Sequence, residues 1–152
     1  MFSIMVIDDE PIVLDSLKTF PWEACGCQVS AWADSAGQAL EYLEREVPDI
    51  IISDIRMPQL SGLDLAQIVK RRFPDMEIIL LTGYAEFDYA RQAMSLGIRQ
   101  YLLKPFRFED IKQALALCIR SIEERQARRQ LQQTIQEKLQ AISPLLKEQV
   151  YQ

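Results

Sequence analysis

Acids, a hydroxyl and an ammonium stand at the ends of apolar runs in this chain. Asp8 and Asp9 follow Ile4-Met5-Val6-Ile7, Asp54 closes Ile50-Ile51-Ile52-Ser53, Thr82 closes Ile78-Ile79-Leu80-Leu81, and Lys104 follows Tyr101-Leu102-Leu103. Each run reads as a buried parallel strand, and residues at the carboxyl ends of such strands line the rim where open α/β sheets bind ligands. Three carboxylates meeting at that rim would repel one another unless a cation joined them. A hard, oxygen-binding ion such as Mg²⁺ suits them, with a phosphoryl group beside it. A carboxylate can attack phosphorus to give an acyl phosphate. A lysine offers a compact charge for a phosphoryl oxygen, and a hydroxyl can donate to another. Singly, each residue has a simpler reading: Asp9 or Thr82 as a helix cap, Asp54 as a loop acid, Lys104 as a solvated charge. Together they form a phosphoryl-transfer set.

The elements that must position this set alternate along the chain. Strands are predicted over residues 2–8, 28–33, 49–54, 76–82 and 99–103, and helices over 11–19, 35–46, 61–72 and 85–96. Pro11 suits the first turn of the first helix, and Gly97 suits the C′ position of the fourth. Residues 20–27, with Pro21, Trp22 and Gly26, read as a loop. Five such units predict an α/β fold: a flavodoxin-like, doubly wound, five-stranded parallel sheet in the order 2-1-3-4-5. From Phe108 onward the chain reads as helix, with Ile111, Leu115, Cys118 and Ile122 forming a stripe that covers the sheet. A polar stretch follows, and then Leu131, Ile135, Leu139, Ile142 and Leu146 resume the stripe at coiled-coil spacing. Pro144 should end or kink this extended C-terminal helix near Ser143. The division is thus a domain over 1–120 and a helical, coiled-coil-like linker over 121–152. A stripe with no domain left to cover points to weak or conditional homodimerisation, the alternative being a helix folded back on its own domain.

Composition narrows the function. With 49% apolar and 26% charged residues the chain fits a soluble globular protein. A net charge of −5 argues against direct contact with nucleic acid, which needs clustered Lys and Arg. No apolar stretch nears the roughly 20 residues that span a bilayer, and the N-terminus runs straight into a strand, so a cytoplasmic location is expected. The absence of histidine removes histidine-based catalysis, and Cys25, Cys27 and Cys118 read as reduced thiols. Cys25 and Cys27 have too few soft companions for a metal site.

In these residues the chain resembles the receiver domains of two-component response regulators, over residues 2 to about 120. The family's acidic pair falls on Asp8 and Asp9, and its phosphoacceptor on Asp54 within Ser53-Asp54-Ile55-Arg56-Met57-Pro58. Its loop glycine is Gly62, its switch hydroxyl Thr82, its switch aromatic Tyr101 and its lysine Lys104, followed by Pro105. The resemblance implies direct Mg²⁺ binding by Asp9, Asp54 and the backbone carbonyl of Arg56, with Asp8 acting through a metal-bound water. It also implies a cis Lys104-Pro105 bond. The donor would be a sensor histidine kinase, making the chain a phosphoacceptor and not an enzyme beyond slow self-phosphorylation and self-dephosphorylation. Thr82 and Tyr101 would relay phosphorylation to the surface of the fourth helix, fifth strand and fifth helix, and so to self-association.

The texts Pro21-Trp22-Glu23 and Gly83-Tyr84-Ala85-Glu86-Phe87-Asp88-Tyr89-Ala90 are most like receivers with an AraC-type helix-turn-helix output domain. No such domain follows here, and Leu145-Leu146-Lys147-Glu148-Gln149 reads as a linker cut midway. Arg56 and Tyr84, each two positions beyond a key residue, would shield an acyl phosphate from water. The rival reading is a phosphate-independent interaction or dimerisation module on the same fold. A flavodoxin-like cofactor binder is disfavoured because Asp8-Asp9-Glu10 would repel a phosphate, and an aspartyl phosphatase because no substrate cap is found.

Overall fold

The computed structural model describes residues 1–83 and 87–142. In chain order the elements are β1 (Phe2–Ile7), α1 (Pro11–Lys18), β2 (Cys27–Ala33), α2 (Ala36–Arg45), β3 (Ile50–Asp54), α3 (Gly62–Arg72), β4 (Glu77–Thr82), α4 (Phe87–Met94), β5 (Gln100–Leu103) and α5 (Phe108–Ile142). All strand pairs are parallel, in the order β2-β1-β3-β4-β5. The expected flavodoxin-like sheet and long C-terminal helix are therefore both present.

Four of the five strands stop at the groups that matter. β1 stops before Asp8, β3 on Asp54, β4 on Thr82 and β5 before Lys104. Their interiors are apolar on both faces because helices cover both. Met5, Ile7, Ile51, Ile78 and Leu80 join Ala39, Leu43, Leu65, Val69 and Ala93 of α2, α3 and α4 in one core. Strand alternation turns Ile4, Val6, Ile50, Ile52, Ile79 and Leu81 to the opposite face, where they are equally buried. Leu17 of α1 and Ile111, Leu115 and Cys118 of α5 are buried as well.

Helix ends follow local chemistry. Ser35 caps α2 by accepting from the Gln38 amide, and Ser61 and Asp64 form a reciprocal capping box on α3. α1 starts with Pro11 in its first turn, while Glu10 at its N-cap makes no side-chain cap bond. The simple reading of Asp9 as the cap therefore fails. Gly97 has φ of 86° and its amide donates to the Met94 carbonyl, as expected of a glycine just past a helix end.

The segment expected to be a plain loop over 20–27 is more ordered than that. A 3-10 turn at Glu23–Cys25 ends on Gly26 at φ 75°, and β2 begins one residue early, at Cys27. Trp22 is buried here, its Nε1 donating to the Leu17 carbonyl at 2.9 Å.

The chain divides into two units, Met1–Cys118 and Ile119–Gln152, with α5 running from the first into the second. In the second unit Leu131, Ile135, Leu139 and Ile142 are exposed. α5 is continuous through Ile142. The expected break near Ser143 and the stripe residue Leu146 lie outside the described residues. No helix among the described residues is long and apolar enough to cross a membrane.

Candidate functional site

Register brings the strand ends together. Ile7 lies opposite Ser53, so Asp8 emerges beside Asp54. Asp54 lies opposite Leu81, and Thr82, the next residue of β4, lies opposite Leu103. The Lys104 amide then donates to the Thr82 carbonyl at 2.7 Å, which carries the β4–β5 ladder one residue further at this rim. The following Lys104-Pro105 bond is cis.

Lys104 is the centre of the arrangement. Its Nζ lies 3.2 Å from Asp8 Oδ2, 3.3 Å from Glu10 Oε1 and 3.4 Å from Asp54 Oδ2. Carboxylate oxygens of Asp8, Asp9, Glu10 and Asp54 all come within 4.8 Å of one another. If all four are ionised, one ammonium leaves three negative charges uncompensated. Asp8 is fully buried, and burial pushes its carboxyl above the usual range despite the Glu10 amide, which donates to Oδ1 at 2.9 Å, and the Lys104 charge. Burial alone would lower Lys104, but Asp8 and Asp54 hold it above its ordinary value. The donors here are oxygens only, crowded and anionic, with neither thiolate nor imidazole among them. That chemistry fits a hard divalent cation such as Mg²⁺.

The loop after β3 is held at both ends by backbone bonds. The Ile55 amide donates to the Leu81 carbonyl at 3.1 Å, and the Gly62 amide donates to the Ile55 carbonyl at 2.7 Å. A β-carbon on Gly62 would stand 1.9 Å from the Asp54 carbonyl oxygen, so only glycine lets α3 begin this close to the acid. Ser53 is buried and donates to the Asp54 carbonyl at 2.9 Å. Arg56 is exposed on the same loop, two residues past Asp54. Tyr84 lies outside the described residues.

Thr82 is buried at the end of β4. Tyr101 is half-buried against the core under α2, α3 and α4, and its hydroxyl donates to the Ile98 carbonyl. Burial pushes the Tyr101 phenol up. Asp8, Asp54 and Lys104 are thus in direct contact, Asp9 joins them, and Thr82 stands beside Lys104. Glu10 is the member that sequence reasoning missed. The available signal was a third consecutive acid after β1, counted only as repulsion for a bound phosphate.

A family model described as the response regulator receiver domain matches residues 4–116. The chain belongs to that family. Among curated relatives, the receiver is 36% identical over 116 residues to the transcriptional regulatory protein YesN of Bacillus subtilis, an alignment covering 76% of this chain and 32% of YesN. Among solved structures, the receiver domain of AraT, a response regulator from Geobacillus stearothermophilus, is 30% identical with a TM-score of 0.77. That match covers 82% of this chain and 98% of AraT's receiver. A receiver domain protein from Clostridium thermocellum is 34% identical, with a TM-score of 0.74, over 81% of this chain and 98% of that one. The chain spans about a third of the length of YesN. As a receiver of a two-component response regulator, it carries its acidic cluster and Lys104 at the carboxyl rim of the sheet.

Proposed function

We propose that this receiver accepts a phosphoryl group on Asp54 from a sensor histidine kinase, within a cytoplasmic transcriptional regulator. The observation that carries the reading is Lys104 Nζ, 3.4 Å from Asp54 Oδ2 at a rim that also holds Asp8 and Asp9. The relation to YesN and AraT supports the regulatory context, and the likeness to a two-component transcriptional regulator AraC from Clostridium phytofermentans supports an AraC-type output.

Asp54 Oδ attacks the phosphorus of the donor's phosphohistidine. The O–P bond forms as the P–N bond breaks, and the electron pair and a proton end on the departing imidazole. The Lys104 ammonium faces the negative charge that accumulates on the phosphoryl oxygens. Asp8, Asp9, Asp54 and the Arg56 backbone carbonyl would hold Mg²⁺. When bound, the ion supplies positive charge to the phosphoryl oxygens and offsets the crowding of carboxylates. Thr82, at the adjacent strand end, donates its hydroxyl to a phosphoryl oxygen once the acyl phosphate exists. Tyr101 then leaves its present hydrogen bond to Ile98 and moves into the space that Thr82 vacates. The surface of α4, β5 and α5 changes with it.

The output is altered self-association through α5, whose stripe Leu131, Ile135, Leu139 and Ile142 is exposed. The functional division is a receiver over 1–120 and a linker over 121–152.

The test is incubation with Mg²⁺ and acetyl phosphate, alongside Asp54→Asn, with both weighed by intact mass spectrometry. One added phosphoryl group on the wild type alone is expected. An adduct on both proteins, or on neither, overturns Asp54 as the acceptor.

A further inference from the structure

The Lys104 ammonium has three N–H donors, and three carboxylate oxygens stand at 3.2, 3.3 and 3.4 Å from it. A phosphoryl oxygen that comes to Lys104 must therefore displace one of them. The three are not equally displaceable. The Asp8 side chain is fully buried and that of Asp54 is 4% exposed, so neither can exchange the ammonium for water. The Glu10 side chain is 60% exposed and rehydrates as it lets go.

Glu10 is also not tied to its own helix by its side chain. It occupies the N-cap position of α1, yet its side chain makes no cap bond, and its backbone amide alone serves Asp8. We infer that Glu10 is a positioning residue: it occupies the third donor of Lys104 in the resting receiver and gives that donor up to the incoming phosphoryl oxygen. Glu10 thereby sets a threshold for phosphorylation without touching the phosphoryl group itself. The inference rests on Asp54 being the acceptor.

Two variants separate the contact from the charge. Glu10→Ala removes both, whereas Glu10→Asp keeps the charge but draws the carboxylate back by one methylene. Three measurements are made on the full chain: the rate of adduct formation from acetyl phosphate with Mg²⁺ at low and high salt, labelling of the Lys104 amine by an acylating reagent in EDTA, and thermal unfolding. Both variants are expected to phosphorylate about two- to fivefold faster than the wild type, the range an exposed ion pair allows. Both should also label faster at Lys104, with the thermal midpoint little changed.

Wild-type rates and wild-type labelling in both variants overturn the inference. So does acceleration confined to Glu10→Ala that disappears in high salt, because that pattern belongs to net charge. If the wild type takes no phosphoryl group, the acceptor reading fails by itself. Lys104 labelling, which needs neither donor nor metal, then decides whether Glu10 holds the ammonium.

Discussion

Asp8 is a carboxyl whose burial works against the fold. Its folded pKa is raised above the unfolded value, so the stability tied to its protonated form is complete below about pH 4 and is lost as pH rises through the folded pKa. Asp8→Asn keeps an oxygen to accept the Glu10 amide and removes the buried charge. Without divalent cations this variant is expected to melt about 3–5 °C above the wild type at pH 7, with the gap closing as pH falls toward 4. Differential scanning calorimetry across that range checks both sign and trend, and a lower midpoint at pH 7 would show that Lys104 fully compensates Asp8. Gly62→Ala has the opposite sense. Its β-carbon meets the Asp54 backbone, not a side chain that can swing away, so a loss of about 3 kcal/mol is expected in urea unfolding. The acids and Lys104 were legible from residue type and from their places at the ends of apolar runs. Glu10 was not, because its partner Lys104 lies 94 residues away and only folding pairs them.

At the scale of elements, β1, β3 and β4 were readable because helices on both faces make each one a largely continuous apolar run, and the outer β2 from its weak alternation. Their ends were readable because polar residues stop the runs. What the text hid was the order within residues 20–27. Pro21, Gly26 and the paired cysteines advertise a turn, while the bond that buries Trp22 runs from its indole to the backbone of α1. Nothing in a local pattern encodes that link. Trp22 also packs edge-on to Phe20, with ring centroids 4.6 Å apart, and Phe20 in turn meets Phe108 at the start of α5 at 5.2 Å. This chain of rings ties α1, the turn and α5 together on one side of the sheet. Trp22→Phe keeps an aromatic ring but removes the indole bond to the Leu17 carbonyl, which keeps the Phe20 amide at 3.2 Å, so the cost should be about 0.5–1.5 kcal/mol. Chemical denaturation reads this directly, and an unchanged urea midpoint would mean that water replaces the indole.

For the whole molecule, the question is what the exposed stripe of α5 is for. The compact unit Met1–Cys118 closes its core with Ile111, Leu115 and Cys118, all within the first third of this 35-residue helix. Leu131, Ile135, Leu139 and Ile142 nonetheless repeat at helical spacing while remaining half or more exposed. Isolated apolar residues on a surface need no account, but four in one stripe favour a partner. Two heptads bury little area, so association should be weak and concentration-dependent. A chain cut after Glu124 keeps Ile122, which is buried, and removes the stripe. This shortened receiver is expected to unfold within about 3 °C of the full chain, to take up phosphate on Asp54 at an unchanged rate, and to sediment as a monomer throughout. Ile135→Asp in the full chain should reproduce the monomer without shortening the helix. If the full chain is itself monomeric at high micromolar concentration, with and without phosphorylation, the stripe belongs to another partner.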